Sequence, residues 1–569
     1  MRSRLRSSLW TLSLLLTLAG GILLGSFVPR DDDFFALQKS FQIFSAAYEE
    51  LVTGYVEPLD PERLMRVALD AMLRDLDPYT TLIEGSINTD LDILSRGRMR
   101  GEIGLFLEKR SGGLTVTSIM GGGSEYQGIR VGDVILRVSI HSTRDLSVEE
   151  VRALLEGRPG TRLDVQVRRE GVPRPMIFTL TREQIRPQNV THRSLVDPGA
   201  GIGYIKLERF TRGAHPEMQE ALHALRQQAL QRQQPLRGVI LDLRDNPGGL
   251  LDAAVRVTEM FVSNGAPIVT IRGQRGEIDH TFHSRRPPLA PDLPLVLLVN
   301  GASASSSEIV AGAIQDLDRG VILGTRTYGK GLVQIIRSLP HEMSLKMTTS
   351  RYYTPSGRSI QSDEALGGEA LPEETRTQDR DAPEEPPPAV YRTANGRRVA
   401  AQKGVEPDIE RAPLPPSALE EALTRSAAFF RFANHYAATR DSLSVSFQAS
   451  DADVAAFQRW LRTDSIAYPS QAERSLAAFE DQFLDASLAD VRDEVDALRI
   501  ALRQRKDSAF RIHQDALKHR LEAEILARFV PQTEQVAAAL RHDPQVSAAV
   551  SVLADTARYR ALLTPSPDD

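Results

Sequence analysis

A multi-domain α/β protein is what this sequence predicts, and three observations carry the expectation. Its 569 residues, at about 150 residues per domain, divide into three to four structural units. Residues 201–352 alternate short apolar runs with helical stretches: GYIKLERF, HPEMQEALHALRQQ, GVILDLR, LLDAAVRVTEMFV, LPLVLLVN and SSEIVAGAIQDL follow one another. That order belongs to an α/β layer with a largely parallel sheet. On both sides of the layer the hydrophobic period changes, to strand-like in 100–183 and to helical in 34–95 and 415–569.

Composition narrows the class. With 41% hydrophobic and 25% charged residues the chain builds ordinary cores, and wholesale disorder is excluded. Lysine and arginine number 69 against 75 acidic residues, a net charge of −6, which argues against a dedicated nucleic-acid binder. Cysteine is absent, so disulfide scaffolds, zinc–cysteine sites, iron–sulfur clusters and cysteine nucleophiles are excluded.

The elements follow in order. Arg2, Arg4 and Arg6 precede the uncharged run Leu9–Val28, 20 residues long and enough to cross a bilayer as one helix. No A-x-A-like cleavage site follows it. Residues 1–30 therefore read as a signal anchor, with a cleaved signal peptide as the alternative. The arginines before the run and Asp31-Asp32-Asp33 after it put the N-terminus in the cytoplasm and the rest beyond the inner membrane. Residues 34–98 form a helical region in which Asp60-Pro61-Glu62 starts the helix LMRVALDAMLRDL. In 99–183, GLTVTSI, DVILRVSI and RLDVQVRR read as strands and VEEVRALLEG as a helix. The α/β core spans 184–361. An insertion over 362–402 follows, and its stretch 363–388 holds nine acidic residues, two arginines and five prolines, the make-up of a solvated, disordered segment. Residues 403–414 end the core, and 415–569 are helical. There Leu488, Val491, Val495, Leu498 and Leu502 trace a narrow coiled-coil-like seam. The seam calls for a second helix, from the same chain, another copy or an adaptor.

Three loops after strands carry the chemistry, where open sheets place ligands. Asp245-Asn246-Pro247-Gly248-Gly249 offers bare backbone N–H groups. Gly301-Ala302-Ser303-Ala304-Ser305-Ser306-Ser307-Glu308 opens a helix, and Tyr328-Gly329-Lys330-Gly331 precedes the strand LVQIIRSL. Each has a bland alternative: a tight turn, a Ser305–Glu308 capping box, a solvated turn lysine. A phosphate loop is rejected for Gly324-x4-Gly329-Lys330, because Gly331 stands where Ser or Thr would hold magnesium. His280, His283 and His341 read as surface or loop residues, and no metal site is expected.

The stretch LVNGASASSSEIVAGAIQDLDRGVILGTRTYGKGLVQ resembles the active-site region of the carboxy-terminal processing proteases, tail-specific serine peptidases with a serine–lysine dyad. DLRDNPGGLL, YVEPLDPERLMRVALDAMLRDLDPYTTLIE, YYTPSGRSIQ and KGVEPDI are similar to their other signatures. The resemblance implies a crotonase-like (ClpP-like) core in 184–361. It implies a nucleophile at Ser305, three before Glu308 and 25 before Lys330, and a general base at Lys330. The base's pKa would have to drop from about 10.4 to near 7–8, as burial can bring about. Gln334 would orient the lysine, on the same strand face as position 330, with Glu308 in support. An oxyanion hole would use backbone N–H groups of Gly248 or Gly249 and of Ser306. No cofactor is implied.

Residues 99–183 resemble the PDZ domain these proteases carry, β-rich with two helices. Gly101, Ile103, Gly104 and Leu105 would hold a peptide's terminal carboxylate, with the helix around Glu149–Leu155 as the groove's other wall. The whole reads as an envelope serine endopeptidase, single-pass in the inner membrane with its catalytic part in the periplasm. It would take protein substrates by their C-termini and bind no nucleic acid. A homo-oligomer or adaptor contact would run through the C-terminal helices. The alternatives are a catalytically silent PDZ scaffold and a crotonase-fold enzyme acting on acyl-CoA.

Overall fold

The structure, a computed structural model, describes residues 31–84, 101–110, 112–119, 128–184, 188–273, 278–341, 343–361, 390–401, 404–464, 466–482 and 492–565. The apolar run at 9–28, the acidic stretch 363–388 and seam residues Leu488 and Val491 lie outside them. Two compact units result, Met1–Ile83 with Ile336–Met347, and Glu84–Ile335 with Thr348–Asp569.

In the first unit, helices α1 (Asp31–Gly54) and α2 (Pro61–Arg74) carry the helical period. Asp60 caps α2, its Oδ1 accepting the N–H groups of Glu62 (3.0 Å) and Arg63 (3.3 Å). Pro61 stands at the helix start, where its missing N–H has no consequence. The short strand β1 (Thr81–Glu84) was not foreseen.

The second unit opens with an antiparallel sheet of β2 (Leu105–Arg110), β3 (Gly113–Ile119), β4 (Val134–Val138), β5 (His141–Ser142), β6 (Arg162–Arg168) and β7 (Met176–Thr181). The order is β2-β3-β4-β6-β7, with β5 on β4. Helix α3 (Val148–Leu155) closes it, capped by Ser147 and Glu150. Ile103, Val116, Ile135, Val151, Val165 and Leu180 share its core. Of the two helices expected in 99–183, one, α3, lies among the described residues.

The second sheet joins β8 (Val190–Asp197), β9 (Ile202–Leu207), β10 (Gly238–Asp242), β13 (Leu295–Val299), β14 (Val321–Gly324) and β19 (Ile409–Glu410). Its order is β19-β14-β13-β10-β9-β8; all neighbours are parallel except the antiparallel edge strand β8. Each connecting helix, α4 (Ala214–Gln231), α5 (Leu251–Glu259) and α6 (Ser306–Asp316), packs on one face. Period-2 geometry splits the strands between two cores. Val239, Leu241, Leu295, Leu297 and Ile322 face α4–α6. Ile240, Val296, Leu298, Val321 and Leu323 face the other way. Strands β11 (Pro267–Arg272), β12 (Ile278–His283), β15 (Leu332–Ser338) and β16 (Met343–Tyr353) form a further antiparallel sheet, in which β11 pairs β12 and β16, and Ile268, Val269 and Tyr352 join the core on the α4–α6 side.

The second face of the sheet is covered by the last helices of the chain. The C-terminal region runs through α7 (Ala418–Arg425), α8 (Ala428–Ala438), α9 (Asp451–Thr463), α10 (Gln471–Gln482), α11 (Arg492–Ile512), α12 (Gln514–Leu526), α13 (Gln532–Leu540), α14 (Pro544–Ala554) and α15 (Thr556–Leu562). Helices α7 to α9, α11 and α12 share a core around Phe429, Phe432, Phe457, Trp460 and Leu521. Leu540, Val546, Val552, Leu553 and Tyr559 instead pack against the sheet, each buried side chain contributing about 1.5–3 kcal/mol. Position 415 is therefore no packing boundary: α14 and α15 complete the α/β core. Arg244, at the end of β10, donates to Asp543 Oδ2 and Gln545 Oε1, both at 2.7 Å, and the Leu295 N–H donates to Tyr559 Oη (3.0 Å). The seam residues of α11 are half-buried at Val495 and Leu502, while Leu498 is 50% exposed. Helix α10 of the same chain pairs with α11, Lys506 Nζ donating to Glu473 Oε1 at 2.8 Å.

Candidate active site

The three loops picked from the sequence converge at one end of the parallel sheet. Asn246 ties two of them together. Its buried amide donates to Leu207 O (2.8 Å) and accepts the Gly248 N–H (2.9 Å). Its carbonyl takes the Ala304 N–H (3.0 Å) and the Ser307 hydroxyl (2.9 Å). A second latch joins the Asp245 N–H to Asn300 Oδ1 (3.0 Å) and Asn300 Nδ2 to Asp245 Oδ1 (2.9 Å).

The four serines differ in what holds them. Ser303 donates its hydroxyl to Leu243 O (2.8 Å), Ser306 to Gly249 O (3.0 Å) and Ser307 to Asn246 O, and all three are buried. Ser305 alone of the four is partly exposed. Its backbone lies at φ 54, ψ −113, a strained conformation for a residue with a Cβ. Other serines start helices with an acidic residue three positions on. Ser147 (φ −73), Ser417 (φ −69) and Ser450 (φ −101) all sit in the extended region where N-caps belong. Ser305 shares their capping box, through Glu308, but not their backbone, so capping alone does not account for its conformation.

Glu308 staples this serine to the lysine loop. Its Oε2 accepts the N–H groups of Ser305 (2.8 Å) and Lys330 (2.9 Å). Its Oε1 accepts the Gly329 N–H (2.7 Å) and the Thr327 hydroxyl (2.6 Å). Burial pushes the carboxyl above the usual carboxylate range, against the pull of Thr327, Gly329, Lys330 and Ser305.

Tyr352 makes a second connection, donating its hydroxyl to Ser305 O (3.1 Å) and to Lys330 O. Lys330 precedes β15, which begins at Leu332, so strand alternation does not put 330 and 334 on one face. Gly331 donates its N–H to Gln361 Oε1 (2.8 Å) and accepts the Tyr352 N–H (3.0 Å). Gln334 Nε2 reaches Thr348 Oγ1 at 3.4 Å.

Gly248 and Gly249 have φ of +101 and +150, open only to glycine. A Cβ on Gly249 would meet Phe210 O at 2.3 Å. The Gly248 N–H is taken by Asn246. Ser306 begins α6, where the first N–H groups have no intrahelical acceptor.

In the antiparallel sheet, the Gly101 N–H donates to Gly157 O (2.8 Å) and the Glu102 N–H to Glu183 O (2.9 Å). The Gly101 amide is therefore occupied within the fold. Ile103 is buried in the core, Gly104 adopts φ +74, and Leu105 begins β2. His280 and His283 lie on the exposed strand β12, and no cluster of three or more His, Asp or Glu able to hold a metal occurs among the described residues.

Sequence reasoning assigned no role to Asn246, Thr327 or Tyr352. The stretch YYTPSGRSIQ drew attention as a signature, yet Tyr352 is 47 positions from Ser305, and nothing local announces the contact.

Residues 201–367 match Peptidase family S41, residues 93–168 the PDZ domain, and residues 419–553 the family described as probable PDZ-protease, C-terminal helical domain. A carboxy-terminal-processing protease of Bartonella bacilliformis is 34% identical over 57% of this chain and 73% of its own length. A carboxyl-terminal-processing protease of Picosynechococcus is 30% identical over 66% and 91%. Among solved structures, the photosystem II D1 C-terminal processing protease is 27% identical, covering 67% of this chain and 95% of that one with a TM-score of 0.34.

Proposed function

The chain belongs to the carboxy-terminal-processing proteases, serine-type peptidases with a PDZ domain, and on that premise we propose that it cleaves envelope proteins near their C-termini with a Ser305–Lys330 dyad. Ser305 Oγ attacks the scissile carbonyl carbon while neutral Lys330 Nζ takes its proton. The lysine returns that proton to the leaving amine, and an ester to Ser305 remains. Water then attacks the ester, giving its proton to Lys330, and the serine is regenerated. Backbone N–H groups of Gly249 and Ser306 would face the oxyanion at each step. The role of orienting the lysine side chain falls to Gln334 on the family resemblance alone. A dyad of this kind needs no third carboxylate, which leaves Glu308 as backbone support.

The observation that carries the reading is the backbone of Ser305, strained at φ 54 and tied through one carboxylate to the backbone of Lys330. A fluorophosphonate probe tests it. The wild-type chain should label on Ser305, and Ser305→Ala should not label; labelling that survives in Ser305→Ala refutes the assignment.

The PDZ groove between β2 and α3 would receive the substrate's C-terminus through the loop Gly101–Leu105. The core is read as crotonase-like, supported by its parallel sheet and by nucleophile and oxyanion loops that follow β13 and β10. Anchoring at the inner membrane, with catalysis in the periplasm, rests on the sequence of residues 1–30; among the described residues no helix is long and apolar enough to cross a membrane. Contact with a second copy or an adaptor through the C-terminal helices is supported by the exposure of Leu498, Ile500 and Ile512 on α11.

A further inference from the structure

Lys330 can serve as base only if its loop is fixed relative to Ser305, and that loop carries no regular secondary structure between β14 and β15. Its N–H is held by Glu308. Its carbonyl is held by Tyr352, whose hydroxyl also reaches Ser305 O at 3.1 Å. The Ser305 carbonyl already accepts the N–H groups of Glu308 (2.8 Å) and Ile309 (3.0 Å), so it moves only with α6. Tyr352 itself is rigid. It is buried at 1% exposure, its strand is registered against Ile271 of β11, and its N–H donates to Gly331 O (3.0 Å).

A phenol carries one proton and accepts with its lone pairs. Here that single proton lies between two carbonyl oxygens whose negative ends would otherwise face each other. We propose that Tyr352 is a positioning residue of the dyad: its hydroxyl clamps the backbone carbonyl of Lys330 to that of Ser305. Both backbone polar groups of the lysine are then anchored. The inference rests on the Ser305–Lys330 reading above.

Tyr352→Phe keeps the ring and removes the clamp. Three quantities are measured on the full chain: fluorophosphonate labelling rate against pH, casein hydrolysis, and melting temperature. With the carbonyl released, Lys330 samples more positions and its ammonium reaches water more readily, so the neutral base forms only at higher pH. The expected result is a labelling rate lower by about ten- to a hundredfold at neutral pH. The acidic limb of the rate profile moves to higher pH, casein kcat falls more than KM changes, and cooperative melting persists. Tyr353→Phe, one position on, should match wild type.

An unchanged rate and limb in Tyr352→Phe, with Ser305→Ala and Lys330→Ala inactive, would overturn the clamp and leave the dyad standing. Loss of cooperative melting would also overturn it, because the hydroxyl would then serve the fold. Activity persisting in Ser305→Ala or Lys330→Ala would bring down the dyad and the clamp together.

Discussion

Gly248 and Ser305 stand so close that a methyl group on the glycine would lie 2.9 Å from the serine Cβ. The same methyl would meet Ala304 O at 2.7 Å and the Ser306 N at 2.8 Å, backbone atoms that cannot swing aside. Gly248→Ala should therefore displace the nucleophile loop, and φ +101 adds strain to the clash. Together these cost about 2–5 kcal/mol. The expected outcome is a folded chain of lowered melting temperature whose fluorophosphonate labelling is nearly lost; labelling at the wild-type rate would show that the loop yields.

Ser305→Ala and Lys330→Ala should each abolish casein hydrolysis while circular dichroism and melting temperature stay near wild type. The double variant should be no worse, because dyad members act as a unit. Ser303→Ala makes the contrast. Its hydroxyl donates to Leu243 O and accepts the Asn300 N–H (2.9 Å), so it should lose about 1–3 kcal/mol of stability and keep most activity at low temperature. An inactive Ser303→Ala beside an active Ser305→Ala would shift the nucleophile by two positions.

Glu308→Gln replaces two accepting oxygens by one. Each oxygen of Glu308 now takes two donors, and whichever way the amide is turned its NH2 faces backbone N–H groups. The loss should reach about 2–4 kcal/mol, visible as a lower urea midpoint, with activity reduced further by the freed lysine loop. A variant as stable and active as wild type would mean that the carboxyl is protonated and already presents a donor.

His192 of β8 is buried, with Nε2 3.0 Å from Ser194 Oγ, and burial holds its pKa below 6.5 despite the counteracting effect of a hydrogen bond to the backbone at Thr533. The folded state thus prefers the neutral ring. Its contribution is complete above pH 6.5 and is lost as the pH falls through 6.5 toward the lower folded value, because the unfolded chain takes the proton first. The melting temperature of wild type should fall between pH 7 and pH 5, and by less in His192→Gln. Parallel curves for the two proteins would remove His192 from the account.

What the sequence made legible is local. GVILDLR and LPLVLLVN are continuous apolar runs because β10 and β13 are buried on both faces, and Asp60-Pro61 marks a helix start whose side-chain hydrogen bonds span two or three residues. Ser305, Glu308 and Lys330 were found through their loops. The rest depends on chain segments that meet only after folding. Nothing in PQVSAAVSVLA says that α14 lies beneath β10 and β13 rather than beside α13. Lys330 looked like part of a strand because LVQII follows at once, yet β15 begins only at Leu332.

The placement of α14 and α15 also sets an order in time. Tyr559 is bonded to Leu295 across 264 positions, and at about 5–20 residues per second the ribosome needs roughly 13–53 s to make that stretch. During that interval the strands bearing the oxyanion and nucleophile loops exist with one apolar face bare. A nascent chain thus holds its serine and its lysine long before it holds the layer that stiffens the sheet beneath them.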